Sequence, residues 1–194
     1  MPHESSSKRK LAAILFADIV GYTALMQQGE NKAMSILNRF QEVTTAKVKE
    51  HKGEIIKSYG DGSLILFEST VDAVNCAYQM QLAFGKGIAV PLRIGIHIGE
   101  VVHKDNDIFG NGVNIASRVE SMGTAGAVLL SKTAMDRVKN QEAFDFKSLG
   151  SYEFKNVEEP LEVIALVNER LVVPKNEDIK VKLKVKSCPH ALII

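Results

Sequence analysis

The chain has 194 residues, 45% of them hydrophobic and 24% charged, which suits one globular domain with a sizeable core plus short extensions. A formal net charge of +1 gives no electrostatic case for nucleic acid as the partner, and no apolar run reaches the ~20 residues of a membrane span. Cys76 and Cys188 are the only cysteines and lie far apart, which argues against a disulfide framework and for a reducing, cytoplasmic setting.

Residues 1–9 are charged and read as an N-terminal extension. Leu11 to Asp18 is apolar enough for a strand buried on both faces. Ala33, Ile36, Leu37, Phe40 and Val43 recur at helical spacing, so a helix is predicted over about 30–51, closed by Gly53. Glu54–Ser58 and Ser63–Phe67 are short strands around the turn Gly60-Asp61-Gly62, a hairpin pattern. Val71, Val74, Tyr78 and Leu82 mark a second helix ending near Gly85; Cys76 falls in its apolar pattern and reads as core. Leu92 to Val102 alternates, with Ile94, Ile96 and Ile98 on one face and Arg93, Gly95, His97 and Gly99 on the other, so His97 reads as a structural or interface residue.

That order, β-α-β-β-α-β, predicts an α+β fold with a ferredoxin-like core. A loop over 103–109 leads into a helix over about 110–122. Ala127–Leu130 is a further strand, and Ser131 is an N-cap for a short helix. Strands near Phe144–Leu149 and Leu161–Val167 complete an additional C-terminal α/β subdomain. The lysine-alternating stretch from Lys180 to Lys186 has no evident partner, so the chain from Val172 reads as a loosely attached tail. The organisation expected is thus an extension over 1–9, one domain over 10–168 and a tail over 169–194.

Two acidic residues carry the chemistry. Asp18 ends the first apolar run and Asp61 sits in the hairpin turn. Pairing of those strands brings both carboxylates to one sheet edge, where hard cations with oxygen ligands follow, a bound triphosphate completing their shells. Gly21, Tyr22 and Thr23 follow Asp18 at once, and their backbone amides are placed to meet such a triphosphate. In the stretch from Asp107 to Arg118, Asn114 and Arg118 lie four apart on a predicted helix and share a face. An amide beside a planar guanidinium suits a phosphoryl group.

Three stretches, Phe16-Ala17-Asp18-Ile19-Val20-Gly21-Tyr22-Thr23, Lys57-Ser58-Tyr59-Gly60-Asp61-Gly62 and Asp107-Ile108-Phe109-Gly110-Asn111 with Asn114, Ser117 and Arg118, resemble the class III nucleotidyl cyclase catalytic domain in order and internal spacing. The resemblance covers about residues 10–168 and implies an adenylate cyclase that converts ATP to 3′,5′-cyclic AMP and pyrophosphate with two Mg2+ or Mn2+ per site. Asp18 and Asp61 match its metal-binding aspartates, with Ile19 in the metal set. Lys57 and Asp107 match its purine-reading pair, Asn114 and Arg118 its transition-state pair, and Lys155 its triphosphate lysine. Around Lys155 the sequence departs from the pattern, since Asn156-Val157-Glu158 is not glycine-rich. The resemblance further implies a head-to-tail homodimer whose two composite sites take Asp18 and Asp61 from one chain and the remaining residues from the other.

A lysine donor and an aspartate acceptor complement the adenine edge, and guanine reverses that polarity. Mismatched buried polar groups cost about 1–3 kcal/mol each, so ATP is favoured over GTP. A guanylate cyclase remains the near alternative. A diguanylate cyclase or polymerase-palm enzyme leaves Asp107, Asn114 and Arg118 without a role. The intact set of site residues argues against a silent nucleotide-sensing or dimerisation module.

Overall fold

The computed structural model describes residues 9–104, 107–154, 157, 159–175 and 177–179. β1 (Arg9–Ile19) has the apolar run expected of a central strand, and antiparallel neighbours flank it, β3 (Gly62–Phe67) on one side and β4 (Leu92–Lys104) on the other. β2 (Glu54–Tyr59) pairs with β3 across the hairpin turn, where Gly60 takes a φ of 50° that favours glycine. The crossovers are α2 (Glu30–Glu50) and α3 (Thr70–Phe84). The resulting strand order, β2-β3-β1-β4, is the ferredoxin-like one.

Both crossover helices cover the same face of the sheet. Ile36, Phe40 and Val43 of α2 and Val74, Ala77, Met80 and Phe84 of α3 meet Leu15, Ile65, Ile94 and Ile96 in one buried cluster. Cys76 lies in that cluster, and its burial pushes the thiol up to about 12, so it is a packing residue. The buried Gln81 donates from Nε2 to the carbonyls of Leu92 (3.0 Å) and Ala127 (3.1 Å), fastening α3 to the strands beneath it.

The other face receives α4 (Asn111–Met122), and the sequence of β4 shows why it fits. A Cβ placed on Gly95 would lie 2.2 Å from the backbone nitrogen of Glu120, and one on Gly99 would lie 3.0 Å from Gly112 Cα. Only glycines let helix and strand approach so closely. Beyond β4 come β6 (Val128–Ser131), parallel to it, then β8 (Leu161–Leu166) and β7 (Phe146–Tyr152), both pairings antiparallel. The additional C-terminal strands therefore extend the same sheet. The Ser131 side chain caps α5 (Lys132–Asp136) by accepting from the Ala134 N–H at 3.3 Å.

Four features differ from the expectations. A short helix, α1 (Tyr22–Gln28), follows β1; it fully buries no residue and has no side-chain cap, and its seven residues lay only Tyr22 and Leu25 against the core. The expected loop over 103–109 contains β5 (Asp107–Phe109), which folds back on β4 with Lys104 opposite Asp107. β7 runs on to Tyr152 because an irregularity between Ser148 and Gly150 resets its register. The chain from Val172 is not loose where described: the Val172 N–H donates to the Gly126 carbonyl at 3.0 Å, and Ile179 is fully buried beside Met122, Leu149 and Val163. Lys180 to Lys186 lie outside the described residues.

Candidate active site

Strand register brings the two acidic residues together. Asp18 stands opposite Gly62, the residue after Asp61, and the Ile19 N–H donates to the Asp61 carbonyl at 2.9 Å. A Cβ on Gly62 would lie 3.3 Å from Asp18 Oδ1, so the turn passes close to the Asp18 carboxylate. Burial pushes the Asp18 carboxyl above its ordinary range and the neighbouring Asp61 carboxylate adds to that, against the pull of Arg93. Two acidic side chains side by side at one sheet edge suit a cation. Among the described residues no group of three or more His, Cys, Asp or Glu gathers to hold a metal; this corner of the sheet presents two carboxylates.

Arg93 belongs to the same end of the site. It is the cross-strand partner of Asp18, and its guanidinium donates to Asp18 Oδ2 from Nη2 at 2.7 Å and from Nε at 3.1 Å. The same Nε also meets Glu120 Oε1 of α4, a carboxylate whose side chain is only 9% exposed. Sequence spacing singles out neither residue. The one signal is that Arg93 shares a strand face with three small or polar residues, opposite a face of isoleucines.

The proposed purine pair comes together within one chain. Lys57 Nζ of β2 donates to Asp107 Oδ2 at 3.0 Å, and that hydrogen bond holds the Asp107 carboxyl below its ordinary range and the lysine above its own. β5 makes the contact, since its pairing with the end of β4 returns Asp107 to the sheet. The Lys57 ammonium also sits 5.4 Å from the centre of the Tyr59 ring. Tyr59 and Phe109 are both exposed aromatics, 43% and 54%.

Asn114 and Arg118 lie on α4, with Asn114 exposed and Arg118 half-buried. Gly21 takes a left-handed φ of 72° and turns the chain from β1 into α1, so Tyr22 and Thr23 form that helix's first turn. Lys155 lies outside the described residues. His97 is buried, with Nδ1 2.8 Å from Ser131 Oγ, and has the structural role its strand face implies.

A family model described as the adenylate and guanylate cyclase catalytic domain matches residues 4–168. A Rhizobium meliloti (strain 1021) protein provisionally named adenylate cyclase 3 is 38% identical over 168 residues, covering 82% of this chain and 29% of that protein. The Streptomyces coelicolor protein named adenylate cyclase is 32% identical over 143 residues, 72% of this chain and 37% of its own length. The chain thus spans about a third of the length of these curated relatives. The crystal structure of an adenylate/guanylate cyclase/hydrolase from Silicibacter pomeroyi aligns with a TM-score of 0.77 at 31% identity, covering 84% of this chain and 100% of that one. The adenylyl cyclase CyaB from P. aeruginosa shares the fold, with a TM-score of 0.75 at 24% identity over 87% of this chain and 100% of its own.

Proposed function

The chain belongs to the adenylate and guanylate cyclase catalytic domain family, and from that premise we propose that it cyclises ATP to 3′,5′-cyclic AMP with release of pyrophosphate. The observation that carries the reading is the register of β1 against β3, which sets Asp18 beside the Asp61 turn. Asp18 and Asp61, with Ile19 between them bonded to the turn, would hold two divalent ions, Mg2+ or Mn2+. When bound, such ions acidify a ribose hydroxyl and neutralise triphosphate charge.

The chain's own groups supply the rest. The first turn of a helix leaves its N–H groups without intrahelical acceptors, so Tyr22 and Thr23, after the turn at Gly21, offer donors to phosphate oxygens. Arg118 would meet charge accumulating on the α-phosphoryl oxygens as the 3′-oxygen attacks, and Asn114 would orient the ribose. Loss of one such preorganised donor costs about 10²–10³ in rate. Lys155 is assigned to the triphosphate on its sequence match alone.

Lys57 and Asp107 would read the base. Their 3.0 Å ion pair joins a donor and an acceptor at neighbouring points, the polarity that the adenine edge complements and guanine reverses. The exposed Asn114, Tyr59 and Phe109 support a head-to-tail homodimer, in which these groups face the Asp18 and Asp61 end of the partner.

The test is formation of cyclic AMP and cyclic GMP from ATP and GTP with each metal, for the wild type and for Lys57→Glu with Asp107→Cys. The wild type should prefer ATP and the double variant should move towards GTP. An unchanged ATP preference removes the pair from base reading, and no product from either nucleotide overturns the enzymatic reading.

A further inference from the structure

We propose that Arg93 is an internal counter-ion that keeps Asp18 from taking up a free divalent cation, so that metal enters only with a triphosphate. The inference rests on the reading of Asp18 as a metal ligand and adds a residue to that site. Every group it needs lies in one chain.

The geometry is specific. A single oxygen, Asp18 Oδ2, accepts two N–H groups of one guanidinium, at 2.7 and 3.1 Å. A cation seeking that oxygen must contend with both hydrogen bonds. The arginine also has a second acidic neighbour. Glu120 meets its Nε from α4, and the close approach of α4 to Gly95 fixes where Glu120 stands. Arg93 is itself only 24% exposed, so swinging into solvent would draw a cation away from a nearly buried carboxylate. The bridge is thus part of the packing between sheet and helix.

The consequence is electrostatic. With Arg93 in place, one of the two carboxylates that would ligate metal already has its charge partly compensated, the guanidinium being shared with Glu120. A bare divalent ion gains less there than at two uncompensated carboxylates. A triphosphate changes the balance, because it brings several negative charges and its own oxygen ligands. Arg93 would then set the order of assembly, and it acts through Asp18 as a positioning residue.

The test is nucleotide-free Mn2+ binding, read from the free-ion EPR signal and checked by calorimetry. Glu120→Gln is the reference, because removing Arg93 alone would leave a buried carboxylate without this cation and risk unfolding. Arg93→Met combined with Glu120→Gln should bind Mn2+ about tenfold more tightly than Glu120→Gln, and adding Asp18→Asn should abolish the gain. Arg93→Lys, which keeps the charge, should stay close to the wild type.

Equal Mn2+ affinity with and without Arg93, both weakened by Asp18→Asn, would overturn the counter-ion role and leave the metal reading standing. Undetectable Mn2+ binding in both also overturns it, since the freed carboxylates are then no stronger a ligand. Binding indifferent to Asp18→Asn would remove the metal reading itself and the inference with it. Circular dichroism and melting of each variant separate these outcomes from loss of fold.

Discussion

Replacing Gly95 with alanine is a sharp test of how the sheet positions α4. The added Cβ would meet three atoms of Glu120, at 2.2 Å from N, 2.4 Å from Cα and 2.6 Å from Cβ. Two of these are backbone atoms, so no side-chain rotation relieves the clash. Ordinary contact begins near 3.4 Å, so α4 must retreat from β4 by about 1.2 Å or β4 must bend away. Overpacking of this kind costs ~1–3 kcal/mol, and at this size each kcal/mol lowers the melting temperature by roughly 2–4 °C. The same helix carries Asn114 and Arg118, and a displacement of about 1 Å at reacting groups can cost about 10² in rate. Gly95→Ala should therefore melt several degrees lower and lose far more turnover than that fall in stability explains. Gly29→Ala is the control, because its φ of 168° is extended and a Cβ there meets nothing within 4 Å. The two variants are compared by calorimetric melting and by cyclic AMP formed at saturating ATP at a temperature where both are folded. A Gly95→Ala protein with the stability and turnover of Gly29→Ala would refute the claim that glycine at 95 sets the helix's seat.

Two further outcomes are expected. Burial holds His97 down to about 4 against an ordinary 6.5, so between those values the unfolded chain binds the proton that the folded chain refuses. Its contribution is complete above pH 6.5 and lost as pH falls towards 4, about 3 kcal/mol in all; His97→Asn should flatten that part of the urea-melt stability profile, and an unaltered slope would disprove it. In the composite-site reading, Asp18→Ala and Asn114→Ala chains are each inactive, but mixing them rebuilds one intact site per heterodimer and restores part of the cyclic AMP formation. Mixed dimers confirmed by mass and still silent would refute the shared site.

The parts of this molecule that were legible in its sequence are those fixed by local chemistry. A turn bracketed by glycines announces itself around Asp61, and alternation over Leu92–Val102 gives a strand with one isoleucine face. Helices α2 and α3 follow from the spacing of Ile36, Phe40, Val71 and Val74; the core buries Ile36, Phe40 and Val74, and Val71 packs against it partly buried. Ser131 is an N-cap in sequence and in space. The short helix α1 was not legible, because its seven residues bring only Tyr22 and Leu25, both partly buried, against the core, too short a stripe to read as a period.

Less legible were the partnerships made by register. Arg93 and Asp18 are 75 residues apart and Lys57 and Asp107 are 50 apart; each pair meets only because particular strands lie side by side in a particular alignment. A one-residue slip of β4 against β1 would turn Arg93 to the opposite face and dissolve its bridge to Asp18 while leaving every local motif unchanged. The three-residue strand β5 is a sharper case. Asp107-Ile108-Phe109 is too short to show a period, yet its pairing with Val102–Lys104 is what delivers Asp107 to Lys57. The residue types at the site therefore speak for its chemistry, whereas the charge balance among Asp18, Arg93 and Glu120 belongs to the assembled sheet and helix. It follows that substitutions at Gly95 or Arg93, which no short motif flags, should alter the site as strongly as changes to residues that a motif names.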